Sequence, residues 1–319
     1  MKKILLTTAS IALLSASVMS QGSLKFAQPT QVKMPVNAQK GVSPLAGGVK
    51  INRCGTVAPS KEWDTEFNKQ VEAYKLEHAN DIANGRTAAT TYTLPIIFHV
   101  IHGSEAVGTF PNIAAAQINS QITVLNQDYS GTGYKANTYP AGAFAAYASA
   151  TSNSVSAASK DGTGRVAIAN TGISFCAATK DPNGATLAEP GIDRISYVTK
   201  GWTNPATLTS SNFQTYIDGT IKPASIWDPT KYFNVWLTDE NINSVGLLGY
   251  STFPASSTLS GLSAPYGSST TDGCWFYAKV CGSKTIYSAG TYDPTYCYGR
   301  TICHECGHYL GLRHPWGDN

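Results

Sequence analysis

RTICHECGHYLGLRHPWGDN, residues 300–319, decides how the chain folds, and the rest is read outward from it. Within it His304-Glu305-Cys306-Gly307-His308 is followed by Gly311 and His314. On an α-helix four residues turn about 400°, so His304 and His308 leave nearly the same face one turn apart. Two imidazoles so placed can hold one metal ion. Glu305 adjoins the first of them, within reach of a water on that metal. His314 would fall off this face if the helix ran on. Gly311 can take a positive φ, end the helix and swing His314 back. Three neutral imidazoles leave the fourth tetrahedral position to water, so the pattern reads as an open zinc site. His304, His308 and His314 are the ligands, and Glu305 is the general base. Cys303 and Cys306 share the helix but project at about −100° and 200° from His304, away from the metal face.

The full signature, HExxHxxGxxH with Pro315-Trp316-Gly317-Asp318 behind it, resembles that of the metzincin metallopeptidases. Within them it is most similar to the pappalysin family, in the secreted bacterial branch related to cytophagalysin and ulilysin. The resemblance implies an α+β catalytic domain: a twisted, mostly parallel sheet with an antiparallel edge strand, a backing helix and an active-site helix. It implies Zn2+ as cofactor and endopeptidase action on proteins or peptides. Glu305 would take a proton from the attacking water and pass it to the leaving amine. It also implies a methionine-bearing turn beneath the metal and a further C-terminal helix. The three methionines here are Met1, Met19 and Met34, and the sequence stops five residues past His314. The expectation is therefore a chain whose C-terminal subdomain is largely missing and whose activity is correspondingly weak. Serralysins share the Pro after the third His, but they carry Gly/Asp-rich calcium repeats that this sequence lacks. Calcium binding is left open by the sequence. The alternative from another class is a secreted binding or adhesion module with a vestigial zinc site, and the intact ligands and base count against it.

Composition bounds the partners. The chain has 319 residues, with 42% hydrophobic and only 13% charged residues and a net charge of +3. The charged share is about half the usual one, and no basic cluster is present, which argues against a nucleic-acid partner. Lys2 and Lys3, the apolar run Ile4 to Leu14, and the small residues up to Ser20 read as a signal peptide over 1–20, directing the chain out of the cell. That run is too short to span a bilayer, and no later stretch is long enough. Nothing sets an oligomeric state. Seven cysteines in an exported chain read as disulfide material with one left over.

Residues 21–86 read as a pro-region and 87–319 as the catalytic domain. A helix is expected from Ser60 to about Asn84, with Phe67, Val71, Tyr74 and Leu76 as its apolar stripe. Before it, Arg53-Cys54-Gly55-Thr56 is similar to the cysteine-switch element of metzincin zymogens. Zinc deprotonates a nearby thiol, and the thiolate is a strong ligand that would displace the catalytic water. Cys54 is thus a candidate inhibitory ligand, the alternative being that it pairs with another cysteine. Asn84 to Thr87 is a candidate activating cleavage site.

The apolar, β-branched run Leu94 to His102 predicts a buried strand, with His99 and His102 as core histidines rather than ligands. Asn112 is expected to cap a helix running to Asn126, whose buried face is Ile118, Ile122 and Leu125. Tyr129 to Gly164 has no dependable period. Further strands are expected over Val166–Ala178, Ile192–Tyr197, Tyr232–Thr238, Leu247–Pro254 and Gly273–Val280. By the family resemblance, the Leu247 strand runs along the cleft edge and pairs with the substrate backbone.

Overall fold

The computed structural model describes residues 42–44, 50–57, 61–80, 91–132, 170–253 and 267–314. The expected signal peptide, the Asn84–Thr87 site, most of the Tyr129–Gly164 stretch and Pro315–Asp318 lie outside the described residues. In chain order the elements are β1 (Val42–Pro44), β2 (Lys50–Asn52), α1 (Lys61–Glu77), β3 (Tyr92–His102), α2 (Ala115–Tyr129), β4 (Ile173–Ala177), β5 (Ile192–Ser196), β6 (Phe233–Thr238), β7 (Gly249–Ser251), β8 (Cys274–Tyr277) and α3 (Arg300–Tyr309). Several short helical turns lie between β5 and β6.

The sheet is built on β3, whose residues Ile96 to Ile101 are all buried. A run apolar on both faces is what a parallel central strand needs, because both faces are covered. One edge of β3 pairs with β4 along its first half and with β5 along its second; the other edge pairs with β6, and all three pairings are parallel. β8 continues the sheet parallel to β6, and β7 closes it antiparallel to β8. The class is α+β with a mostly parallel sheet and an antiparallel edge strand, as the sequence led us to expect. α2 packs behind β4 and against α3, and α3 lies on β7 and β8.

On the opposite face the turns between β5 and β6 cover Trp236, Tyr250 and Trp275. Phe213 meets Trp275 edge-on at 4.9 Å, and Ser225 Oγ accepts from Trp236 Nε1 at 2.9 Å. Lys222 is wholly buried there, its Nζ 2.8 Å from Asp218 Oδ1 and 4.3 Å from the Tyr250 ring centroid. A carboxylate and an aromatic face are what make a buried ammonium tolerable. His99 is fully buried too, between Asp193 Oδ2 at 2.9 Å and Asn234 Oδ1 at 3.0 Å. It is a core histidine, as its place in an apolar strand suggested.

Several expectations need correction. Asn112 does not cap α2: the N-cap is Ala114, and Asn112 instead donates to Glu105 O and accepts from Arg194 Nη1. The face α2 turns inward is partly polar, with Gln117, Ser120 and Gln121 buried beside Ile118 and Leu125. α1 runs unbroken to Glu77, and the expected end near Asn84 lies outside the described residues; Leu76, placed on its apolar stripe, is 80% exposed. The residue that docks this helix is Trp63, stacked on Phe67 at 4.8 Å and set edge-on to Phe253 at 5.3 Å. Within the expected Leu247–Pro254 strand the regular strand is Gly249–Ser251, with Leu247 joined only by an isolated bridge, and Ala278–Val280 is a 3₁₀ turn rather than the end of a strand. All seven cysteines are free thiols, so the expected disulfides are not formed in this structure.

Glu240 follows β6 and is 4% exposed; its Oε2 accepts from Leu247 N–H, while Oε1 has no partner among the described residues. Burial, with the nearby Asp239 adding to it, pushes this carboxyl up to about 8. The folded chain therefore holds a proton that the unfolded chain releases near its ordinary value. Stability contributed by the neutral form is complete below about pH 4.5, falls as pH rises and levels off above about 8. Glu240→Gln should remove that loss, stabilising the fold by about 1–3 kcal/mol at pH 8 with little effect at pH 4. Thermal melts of both proteins at the two pH values test this, and equal melting temperatures at pH 8 would refute it.

Candidate metal centre

The helix that carries the site is held at both ends. At its start, Arg300 Nη1 donates to Asp128 Oδ2 of α2 at 2.6 Å. Gln121 Nε2 donates to Gly299 O at 3.0 Å, and Tyr129 OH to Cys303 O at 3.3 Å. The buried polar face of α2 thus fixes the turn that leads into α3. On the helix, Tyr309 OH donates to the buried Asp272 Oδ1 at 2.7 Å. After Tyr309 the chain leaves the helix, and Gly311 takes φ +94°. This is the left-handed geometry expected of it, and it turns His314 back over α3.

The result is a triangle of imidazole nitrogens. His308 Nε2 lies 3.1 Å from both His304 Nε2 and His314 Nε2, and those two are 3.2 Å apart. His308 Nδ1 faces Leu312 O at 2.7 Å. That carbonyl can only accept, so Nδ1 carries the proton and the Nε2 lone pair points at the other rings. Burial, then the neighbouring His308 and His314, pulls His304 down to about 4, so it is neutral as a ligand must be. Ring nitrogens crowded this closely fit a cation between them. Tetrahedral nitrogens at the usual Zn–N distance of about 2.0–2.1 Å stand about 3.3 Å apart, and the triangle matches that.

A fourth donor reaches the same point. One ligand atom each from Cys54, His304, His308 and His314 lies within 4.8 Å of all the others. Sulfur and three nitrogens form a donor set suited to zinc. Burial, then the Glu305 charge, raises the Cys54 thiol well above its ordinary value. A bound cation reverses that preference, because a coordinating thiol gives up its proton. Cys303 and Cys306 stay off the metal face, and so do His99 and His102, as expected.

Cys54 arrives on an extended segment laid along the sheet edge. Asn52 N–H donates to Gly246 O at 2.7 Å, Asn52 O accepts from Leu248 N–H at 3.0 Å, and Gly55 N–H donates to Gly249 O at 2.9 Å. Asn52 pairs with Leu247 in a parallel sense. Beyond this strip, Trp63 seats α1 on Phe253. The edge strand read from Leu247 onward is thus an edge, and the Cys54 segment occupies it.

Glu305 is fully buried beside this segment, its Cγ 3.2 Å from where a Cβ on Gly249 would sit. The same Cβ would meet the Phe276 ring at 2.6 Å, so it is this ring that calls for glycine at that point of β7. Burial pushes Glu305 up to about 7, opposed by hydrogen bonds from Thr56 and Cys54. Thr56 is the residue that sequence reasoning missed: its Oγ1 donates to Glu305 Oε2 at 2.6 Å. Sequence spacing shows only that it shares a face with Cys54, as residues two apart on an extended chain do.

Among solved structures the chain is similar to a promirolysin mutant from Tannerella forsythia, with 27% identity, 83% of this chain and 71% of that chain covered, and a TM-score of 0.48. It is similar to mirolysin in complex with compound 9 and to mature Tannerella forsythia mirolysin in complex with a cleaved peptide, each with 31% identity, 72% of this chain covered and a TM-score of 0.47. It spans 66% of each of those two chains. No protein-family model matches the chain, and no curated protein does.

Proposed function

We propose that this chain is the latent form of a secreted, zinc-dependent endopeptidase of metzincin type, acting on proteins or peptides. The observation that carries the reading is the 3.1–3.2 Å triangle of His304, His308 and His314 nitrogens with a buried glutamate on the same helix. When bound, zinc acidifies a coordinated water and polarises a carbonyl. The other roles belong to the chain. His304, His308 and His314 hold the ion, and the Leu312 carbonyl fixes the His308 tautomer. Glu305 accepts the proton of the attacking water and delivers it to the leaving amine. The edge of β7 holds an extended peptide by strand addition once the Cys54 segment has left it. Cys54 is the inhibitory fourth ligand, residues 21–86 are the pro-region, and residues 1–20 direct export. No helix among the described residues is long and apolar enough to cross a membrane.

The test is metal content and casein hydrolysis, measured together on the wild-type chain and on Cys54→Ser. One zinc per chain is expected in both. A serine hydroxyl is a far poorer ligand than a thiolate, so the variant should begin hydrolysis earlier and process itself sooner. Failure of both proteins to bind zinc in stoichiometric amounts would remove the reading. Equal latency in the two would remove Cys54 from its role.

A further inference from the structure

Thr56 makes two contacts that have nothing to do with the metal. Its Oγ1 donates to Glu305 Oε2 at 2.6 Å and accepts from the Ser251 N–H at 2.8 Å. Between it and Cys54, Gly55 N–H donates to Gly249 O at 2.9 Å, so the hydroxyl is aimed by backbone pairing on the edge strand. The carboxylate it meets is fully buried. A hydrogen bond donated to a buried charged group belongs to the strong class. One hydroxyl thereby takes up an oxygen of the base and an edge N–H that an incoming peptide would need.

We propose that Thr56 is a second latency element, independent of the thiol, which keeps the base and the edge strand engaged even when Cys54 is off the metal. The proposal rests on the peptidase reading above. The Cys54 thiol lies against the same Thr56–Glu305 pair, but the contacts of Thr56 to Glu305 and Ser251 are made between protein groups and hold with or without an ion. Chemistry that disables Cys54 alone, such as oxidation or alkylation of the thiol, would then open the cleft only in part. Thr56 positions the segment and touches no reacting atom of a substrate.

The experiment uses the full chain, zinc-free and zinc-loaded, as wild type, Thr56→Val, Thr56→Ser, Cys54→Ser and the Cys54→Ser/Thr56→Val double variant. Valine matches threonine in shape without the hydroxyl, and serine restores it. In the zinc-free chain, Thr56→Val should speed deuterium uptake at the Ser251 amide about tenfold or more, and Thr56→Ser should keep the wild-type rate. With zinc, the double variant should hydrolyse casein about 10- to 100-fold faster than Cys54→Ser alone before any processing. Wild-type uptake at Ser251 in Thr56→Val, or a Thr56→Ser variant as open as Thr56→Val, would overturn the proposal. If no variant cleaves casein, the peptidase reading fails, and uptake at Ser251 still decides whether Thr56 is a lock.

Discussion

Glu305→Gln should retain its zinc and lose about 10²–10⁴-fold in turnover. The amide is nearly the same size and can still accept from Thr56, so the buried site keeps its shape. It cannot accept a proton from water, and it has none to give to a leaving amine. Casein hydrolysis by the variant, measured after removal of the pro-region and beside its metal content, checks this. A variant within tenfold of wild type would take Glu305 out of the proton path. One that lost its metal as well would show the carboxylate to be structural.

His308→Ala should release the metal. His308 sits at the apex where the two 3.1 Å separations meet, and the Leu312 carbonyl fixes its tautomer. Removing it leaves two imidazoles on separate segments, one on α3 and one past Gly311. Losing an outer partner of a ligand already costs about 10–100-fold in affinity, and losing the ligand itself should cost more. Zinc measured after dialysis against a chelator reads the effect, with circular dichroism as the control for folding. Full occupancy in the variant would refute the ligand set.

The site was legible because its chemistry is local. His304, Glu305, His308, Gly311 and His314 lie within eleven residues, and helix geometry alone states which of them share a face. β3 and β6 were legible for a similar reason, since a strand buried on both faces must be apolar throughout. The polar face of α2 was not, because Gln117, Ser120 and Gln121 are buried by what they bond to, the loop from Cys281 to Gly299. That partner lies more than 160 residues away in the sequence. Thr56 was not legible because its partner Glu305 lies 249 residues further along the chain, and no local pattern around Cys54 points to it. The expected disulfides came from compartment and count, which say nothing of proximity; Cys176 lies exposed on β4 while Cys274 and Cys306 are buried.

β3 has a kinetic meaning as well as a structural one. All its partners come from far along the chain: Tyr92 meets Ile173, Phe98 meets Ile192 and, on the other edge, Val235. None of these pairings can start from a hairpin, so loop-closure entropy must be met before any contact rewards it. A chain built this way collapses first and finds its register late. Until β4, β5 and β6 have all arrived, its most apolar segment lies open to other molecules of its kind. The same strand that makes the finished sheet rigid is the one that makes its assembly slow and vulnerable to aggregation.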